Sequence, residues 1–162
     1  MAAAIAAAAA FVFSPASARE AVAFNGGYKP GTIVVYTNAR TLYYVTAPGQ
    51  ALRFPVGVGR AGMAWSGSAR IEGKYVRPAW SPPDMIRAEN PNLPEVIPGG
   101  AANNPMGAAA LTLRGGEYAI HGTNRPQSIG GFVSYGCIRM HNRDIRTLYR
   151  MVDIGTPVIV ER

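Results

Sequence analysis

A turn-rich, mainly β fold is predicted by three features of the chain. Nineteen glycines and thirteen prolines in 162 residues leave little uninterrupted sequence for a helical bundle. Hydrophobic residues make up 48% and charged residues 15%, a balance that excludes a disordered tail protein. Short β-branched and aromatic runs alternate with Gly-, Pro-, Asn- and Ser-rich breaks. A chain of this length buries about 68–70% of its unfolded surface, enough for one core without disulfides or a structural metal. A single domain over residues 19–162 is expected.

The first eighteen residues read as an address. Ala2 to Phe13 are apolar, Ser14-Pro15 follows, and Ala16-Ser17-Ala18 forms a small-x-small site, so cleavage is expected before Arg19. Pro15 argues against the alternative of a buried Ala-rich helix. The expected location is outside the cytoplasm, in the periplasm or cell envelope. All charged side chains lie at or beyond Arg19, so the remaining chain keeps the full net charge of +7 and favours anionic surroundings. Nucleic acid is not the expected partner, because the basic residues are scattered and no zinc-finger or RNP-like spacing is present. Cell-wall polymers and anionic lipid surfaces suit the compartment better.

Along the chain, Thr32–Thr37 and Thr41–Thr46 read as two strands joined across Asn38-Ala39-Arg40. Ala51–Val58 reads as a further strand, an edge or a bulge because of Pro55, ended by Gly57 and Gly59. Seven of the thirteen prolines fall between Arg77 and Pro105, which predicts a long extended excursion without regular helix or central strand. Its apolar punctuation, from Trp80 to Ile97, predicts that it folds back as one wall of a cleft. Leu111–Arg114 and Glu117–Ile120 flank Gly115-Gly116 as a hairpin, leaving His121 at a strand end. A loop is expected from Gly122 to Tyr135. Asn142 is expected to cap a helix in which Ile145, Leu148, Tyr149 and Val152 recur at helical spacing, with Gly155 and Pro157 at its exit and Val158–Val160 as a closing strand. Arg143, Arg146 and Arg150 on its other face read as a solvated stripe.

Chemistry concentrates in His121-Gly122-Thr123 and Ser134-Tyr135-Gly136-Cys137-Ile138-Arg139. Cys137 is the single cysteine, so it has no internal disulfide partner. A cysteine nucleophile needs a base or cation to raise its thiolate fraction, and a histidine within reach supplies it. Gly136 permits a tight backbone whose N–H groups can converge on a developing oxyanion. Two other readings stay open on the residues alone: an inert buried thiol, and metal ligation by His121, Cys137, His141 and Asp144, whose spacing matches no standard zinc pattern.

His-Gly-Thr followed by Ser-x-Gly-Cys-Ile-Arg and a short helix resembles the signature of the YkuD-type L,D-transpeptidase catalytic domain of bacterial cell-wall enzymes. The resemblance extends to Trp65-x-Gly67, Gly73-Lys74, Pro78-x-Trp80-x-Pro82-Pro83 and Gly155-Thr156-Pro157-Val158. It implies a β-sandwich or barrel of mostly antiparallel strands, with a short helix after the nucleophile, acting on peptidoglycan stem peptides without metal or cofactor. By position, Cys137 is then the nucleophile and His121 its base. Tyr135, Gly136 and Cys137 supply the oxyanion-hole amides, and the Gly122 carbonyl orients the imidazole. Arg139 and Ser134 face substrate or brace the loop. The acyl acceptor is an amine on a second stem, or on a lipoprotein or outer-membrane protein; water in its place makes the site a carboxypeptidase. A non-catalytic wall-binding module is the alternative from another class. Many relatives carry a second histidine where this chain has Tyr135, a poor base near neutral pH, which leaves His121 as the base beside Cys137.

Overall fold

A computed structural model describes residues 20–115 and 118–162. The expected export signal and its cleavage site lie outside the described residues. The elements run β1 (Glu20–Ala23), β2 (Ile33–Tyr36), β3 (Thr41–Ala47), β4 (Gln50–Pro55), β5 (Val58–Gly59), β6 (Gly67–Val76), α1 (Asp84–Glu89), β7 (Ala109–Leu113), β8 (Ala119–His121), β9 (Phe132–Ser134), β10 (Ile138–Arg139), α2 (Asn142–Met151) and β11 (Pro157–Glu161). Nine strands form one sheet in the order β1-β4-β3-β2-β11-β6-β7-β8-β10, and β5 pairs with β9. Within the large sheet only β2–β11 and β8–β10 are parallel, so the mainly β, mostly antiparallel expectation describes it.

The β2 sequence Ile-Val-Val-Tyr is buried through its first three residues because it lies between β3 and β11, with cover on both faces. In β4 burial is confined to Ala51 and Phe54. One core gathers Ile33, Leu42, Phe54, Ile71, Leu111 and Ile120 with Ile145 and Leu148 of α2. Ile145 and Leu148 are both fully buried, each worth about 1.5–3 kcal/mol of apolar transfer. The far edge of the sheet is not left open. Gly57, just after β4, exchanges backbone bonds with Arg139 of β10 at 2.9 and 2.8 Å, drawing the two ends of the sheet toward each other.

Several elements differ from expectation. Pro55 ends β4, so the strand expected to reach Val58 is split. The strand β6 was not anticipated: it carries one fully buried large apolar residue, Ile71, and is held by β11 and β7 on either side. The Pro-rich segment contains a helix after all, because Pro82-Pro83 stand before α1 rather than inside it, where proline is compatible with a helix start. The Gly122–Tyr135 loop includes a 3-10 turn at Pro126–Ser128 and the strand β9. The helix α2 is capped by His141 without a side-chain bond, not by Asn142.

Candidate active site

The parallel pairing of β8 and β10 sets Ile138 beside Ile120 and Arg139 beside His121. Both isoleucines point into the core, at 1% and 0% exposure. Since side chains alternate along a strand, His121 and Arg139 face the other way. Cys137, one residue before β10, falls beside Ala119 if that register is continued, and the Ala119 amide favours its thiolate form. His121, Cys137 and Arg139 accordingly line one cavity of about 420 Å³. Its opposite wall is the Pro-rich excursion, through Trp80, Pro83, Met85 and Ile86. Asn104 secures that wall: its amide donates to the Pro78 and Pro98 carbonyls at 2.9 Å each.

The thiol and imidazole are both neutral at rest. Burial pushes the Cys137 thiol up, opposed by the Ala119 amide and by the Arg139 guanidinium. Burial, then the Arg139 charge, bring His121 down from 6.5 to about 4, against the Gly122 and Pro105 carbonyls, which favour its protonated form. Neither carbonyl gives Nδ1 a bond of normal geometry, and this buried nitrogen has no hydrogen-bond partner. A neutral imidazole can accept a proton at physiological pH. Arg139 favours a thiolate and disfavours an imidazolium, so it lowers the cost of charging the sulfur while keeping the imidazole neutral.

The loop that carries Cys137 is held from several sides. Ser134 Oγ donates to the Cys137 carbonyl at 2.6 Å and accepts the Gly136 N–H at 3.1 Å. Its proton is therefore committed to the loop, and so is the Gly136 amide expected among the oxyanion donors. Gly136 has φ +118°, and a Cβ there would lie 2.2 Å from the Tyr118 ring. Tyr118 stacks on Trp65 at 5.0 Å and 7°, and Trp65 Nε1 donates to the Gly136 carbonyl at 3.0 Å. The Tyr135 side chain turns to the Pro-rich wall, where its hydroxyl donates to Glu89 of α1 and its ring lies 4.1 Å under the Arg60 guanidinium. The Glu89 carboxylate pushes this phenol up, so it is no base.

Behind the histidine, Asn142 Oδ1 accepts the Ala108 and Thr123 amides at 2.9 and 3.0 Å, and its Nδ2 donates to the Thr123 carbonyl at 2.9 Å. That bracing role replaces the capping role expected for it. Arg139 Nε is buried without a partner. His141 and Asp144, the remaining members of the metal alternative, lie at the start of α2, and no group of three such ligands assembles among the described residues. Glu89, Arg60, Tyr118 and Asn104 carried no signal in the sequence. Trp65 was flagged only by resemblance.

The profile of the L,D-transpeptidase catalytic domain family, YkuD, matches residues 30–160. A protein of Escherichia coli (strain K12) named probable L,D-transpeptidase YbiS is 37% identical over 136 residues, which cover 79% of this chain and 43% of that protein. The chain thus spans less than half the length of that relative. An L,D-transpeptidase from Mycobacterium smegmatis has the same fold, with a TM-score of 0.63 at 22% identity over 81% of this chain and 58% of its own. A Brucella melitensis protein named a probable carnitine operon oxidoreductase superposes with a TM-score of 0.60 at 36% identity, covering 89% of this chain and 93% of its own.

Proposed function

The chain belongs to the L,D-transpeptidase catalytic domain family, and from that premise we propose that it transfers peptidoglycan stem-peptide acyl groups through a thioester on Cys137. His121 takes the thiol proton as sulfur attacks the carbonyl between the diamino acid and the terminal D-alanine of a donor tetrapeptide. The C–S bond forms, the C–N bond breaks, and D-alanine leaves with the proton returned from the imidazolium. An acceptor amine then attacks the thioester, gives its proton to His121 and restores the thiol. A second stem gives a 3-3 crosslink, and a lipoprotein or outer-membrane protein gives a wall-attached product.

The observation that carries this reading is the placement of Cys137 and His121 on one face of the β8–β10 pair, in one cavity. Cys137 is partly exposed and lines that cavity, which favours a nucleophile over a sealed core thiol. With the Gly136 amide engaged, the oxyanion falls to the Tyr135 and Cys137 amides. The place of Arg139 in the lining of that cavity supports contact with a donor carboxylate. Ser134 acts through the loop, and the Gly122 carbonyl, which favours the protonated imidazole, steadies His121 once it has taken the thiol proton. Export, by the leader ending at Ala18, brings the domain to its substrate.

Mass spectrometry after incubation with a carbapenem tests the chemistry: wild type should gain one acyl mass and Cys137→Ala none. An unlabelled wild type would favour the wall-binding module. Muropeptide digests with an amine acceptor then separate transfer, seen as crosslinked dimers, from hydrolysis, seen as tripeptide stems alone.

A further inference from the structure

A second cavity, of about 360 Å³, shares no lining residue with the one holding Cys137. Arg146 and Arg150 reach it from successive turns of α2, and Arg77 reaches it from the end of β6. Its remaining walls are Val76, Ala108, Ala109 and the Tyr149 ring, with Lys74 Nζ 4.6 Å from that ring's centroid. Among the described residues none of the three arginines forms an ion pair. Three exposed guanidiniums lining one hollow offer an anion charge-assisted donors from more than one side.

Arg77 is also held in an unusual shape. Its φ of +46° lies in the left-handed region, where long side chains are rare. The Arg77 amide donates to the Ala108 carbonyl at 3.1 Å. Gly99 packs so closely on the Arg77 carbonyl that a Cβ there would sit 1.9 Å from its oxygen. Strain maintained by surrounding structure points to function at the strained residue.

We propose that this groove binds an organic phosphate. A phosphate presents acceptor oxygens in several directions and can be met by guanidiniums from two elements, whereas a carboxylate presents two oxygens in one plane to a single fork. The hollow offers more than a bare anion fills, and its apolar floor of Val76, Ala108 and Ala109 covers the organic portion. The same chemistry exists on a free phosphoester and on the headgroup of an anionic lipid surface.

The test uses the full chain with three probes: glycerol 3-phosphate in calorimetry, phosphatidylglycerol vesicles against phosphatidylcholine vesicles in co-sedimentation, and citrate as a carboxylate control. The double variant Arg146→Gln/Arg150→Gln should weaken phosphate or phosphatidylglycerol binding at least tenfold. Arg53→Gln/Arg114→Gln, with the same change in charge elsewhere, should change it less than twofold. Binding to glycerol 3-phosphate assigns a free phosphoester, and binding to the anionic vesicles alone assigns a lipid headgroup. No binding of either phosphate probe, equal loss in both double variants, or equal affinity for citrate would overturn the proposal. Carbapenem acylation of Cys137 and the melting temperature should be unchanged in both variants, which separates this result from failure of the transpeptidase reading or of the fold.

Discussion

Lowering the pH toward 4 should destabilise this protein through His121. The residue is 4% exposed, and burial followed by the Arg139 charge brings its folded pKa to about 4. In the unfolded chain it titrates near 6.5. Above 6.5 both states carry a neutral imidazole and the residue contributes no pH dependence. Between 6.5 and about 4 the unfolded chain takes a proton that the folded chain refuses, so stability falls with pH, and the whole penalty is present below about 4. That interval, at about 1.36 kcal/mol per pH unit, amounts to about 3 kcal/mol, a large share of the 5–15 kcal/mol or so that holds a typical domain. For a domain of this size it corresponds to a fall in melting temperature of about 6–12 °C. Melting curves of wild type and His121→Gln at pH 7, 6, 5 and 4 isolate the effect, since the variant keeps the carboxylates and His141 but removes this titration. The wild-type melting temperature should fall more steeply than the variant's across that range. Parallel profiles would refute the argument that a buried neutral imidazole faces the guanidinium.

Carbapenem acylation should show no inflection between pH 6 and 7, because His121 is already neutral there; a step near 6.5 in the rate profile would place an ordinary solvated histidine at the base position. Gly136→Ala should abolish acylation and lower stability by about 1–3 kcal/mol, from backbone strain at φ +118° and collision with the Tyr118 ring, as read by denaturant unfolding. Trp65→Phe keeps a ring against Tyr118 and removes the bond to the Gly136 carbonyl, so acylation should slow while stability drops by only about 1 kcal/mol. Asn142→Ala leaves the Ala108 and Thr123 amides without their acceptor and should cost about 2–4 kcal/mol in urea unfolding, with slowed acylation from a displaced His121.

What could be read from the chain depended on whether its signal was local. The runs at Ile33–Tyr36 and Thr41–Ala47 announce strands because β-branched and aromatic residues favour a pleated, buried surface. Strand β6 is dictated instead by its neighbours: Gly, Ser, Arg, Glu and Lys dilute its pattern, and pairing with β11 and β7 supplies what propensity does not. The short strand β1, Glu-Ala-Val-Ala, has no apolar–polar alternation and buries no residue fully, and it forms by pairing with β4. At the site, Cys137 and His121 stood out as candidates because a thiol nucleophile needs a base or cation nearby, while Arg139 was singled out by the resemblance; the structure brings all three to one cavity. Glu89 lies 46 positions from Tyr135 and 29 from Arg60, and only the fold brings the three together. Asn142 was misread for a related reason: its place before an apolar helical face satisfies the capping rule, yet its amide is spent on chain segments 19 and 34 residues away.

That one amide couples two halves of the molecule. The segment leaving His121 and the helix that follows Cys137 are fastened to each other and to the residue before β7, so they should open as one unit. In hydrogen exchange, the amides of Ala108 and Thr123 should show a common protection factor, and the same event that releases them should loosen His121 and Cys137 together. Local breathing at the rear of this domain would thereby displace His121 and Cys137 in one event, not expose the sulfur alone.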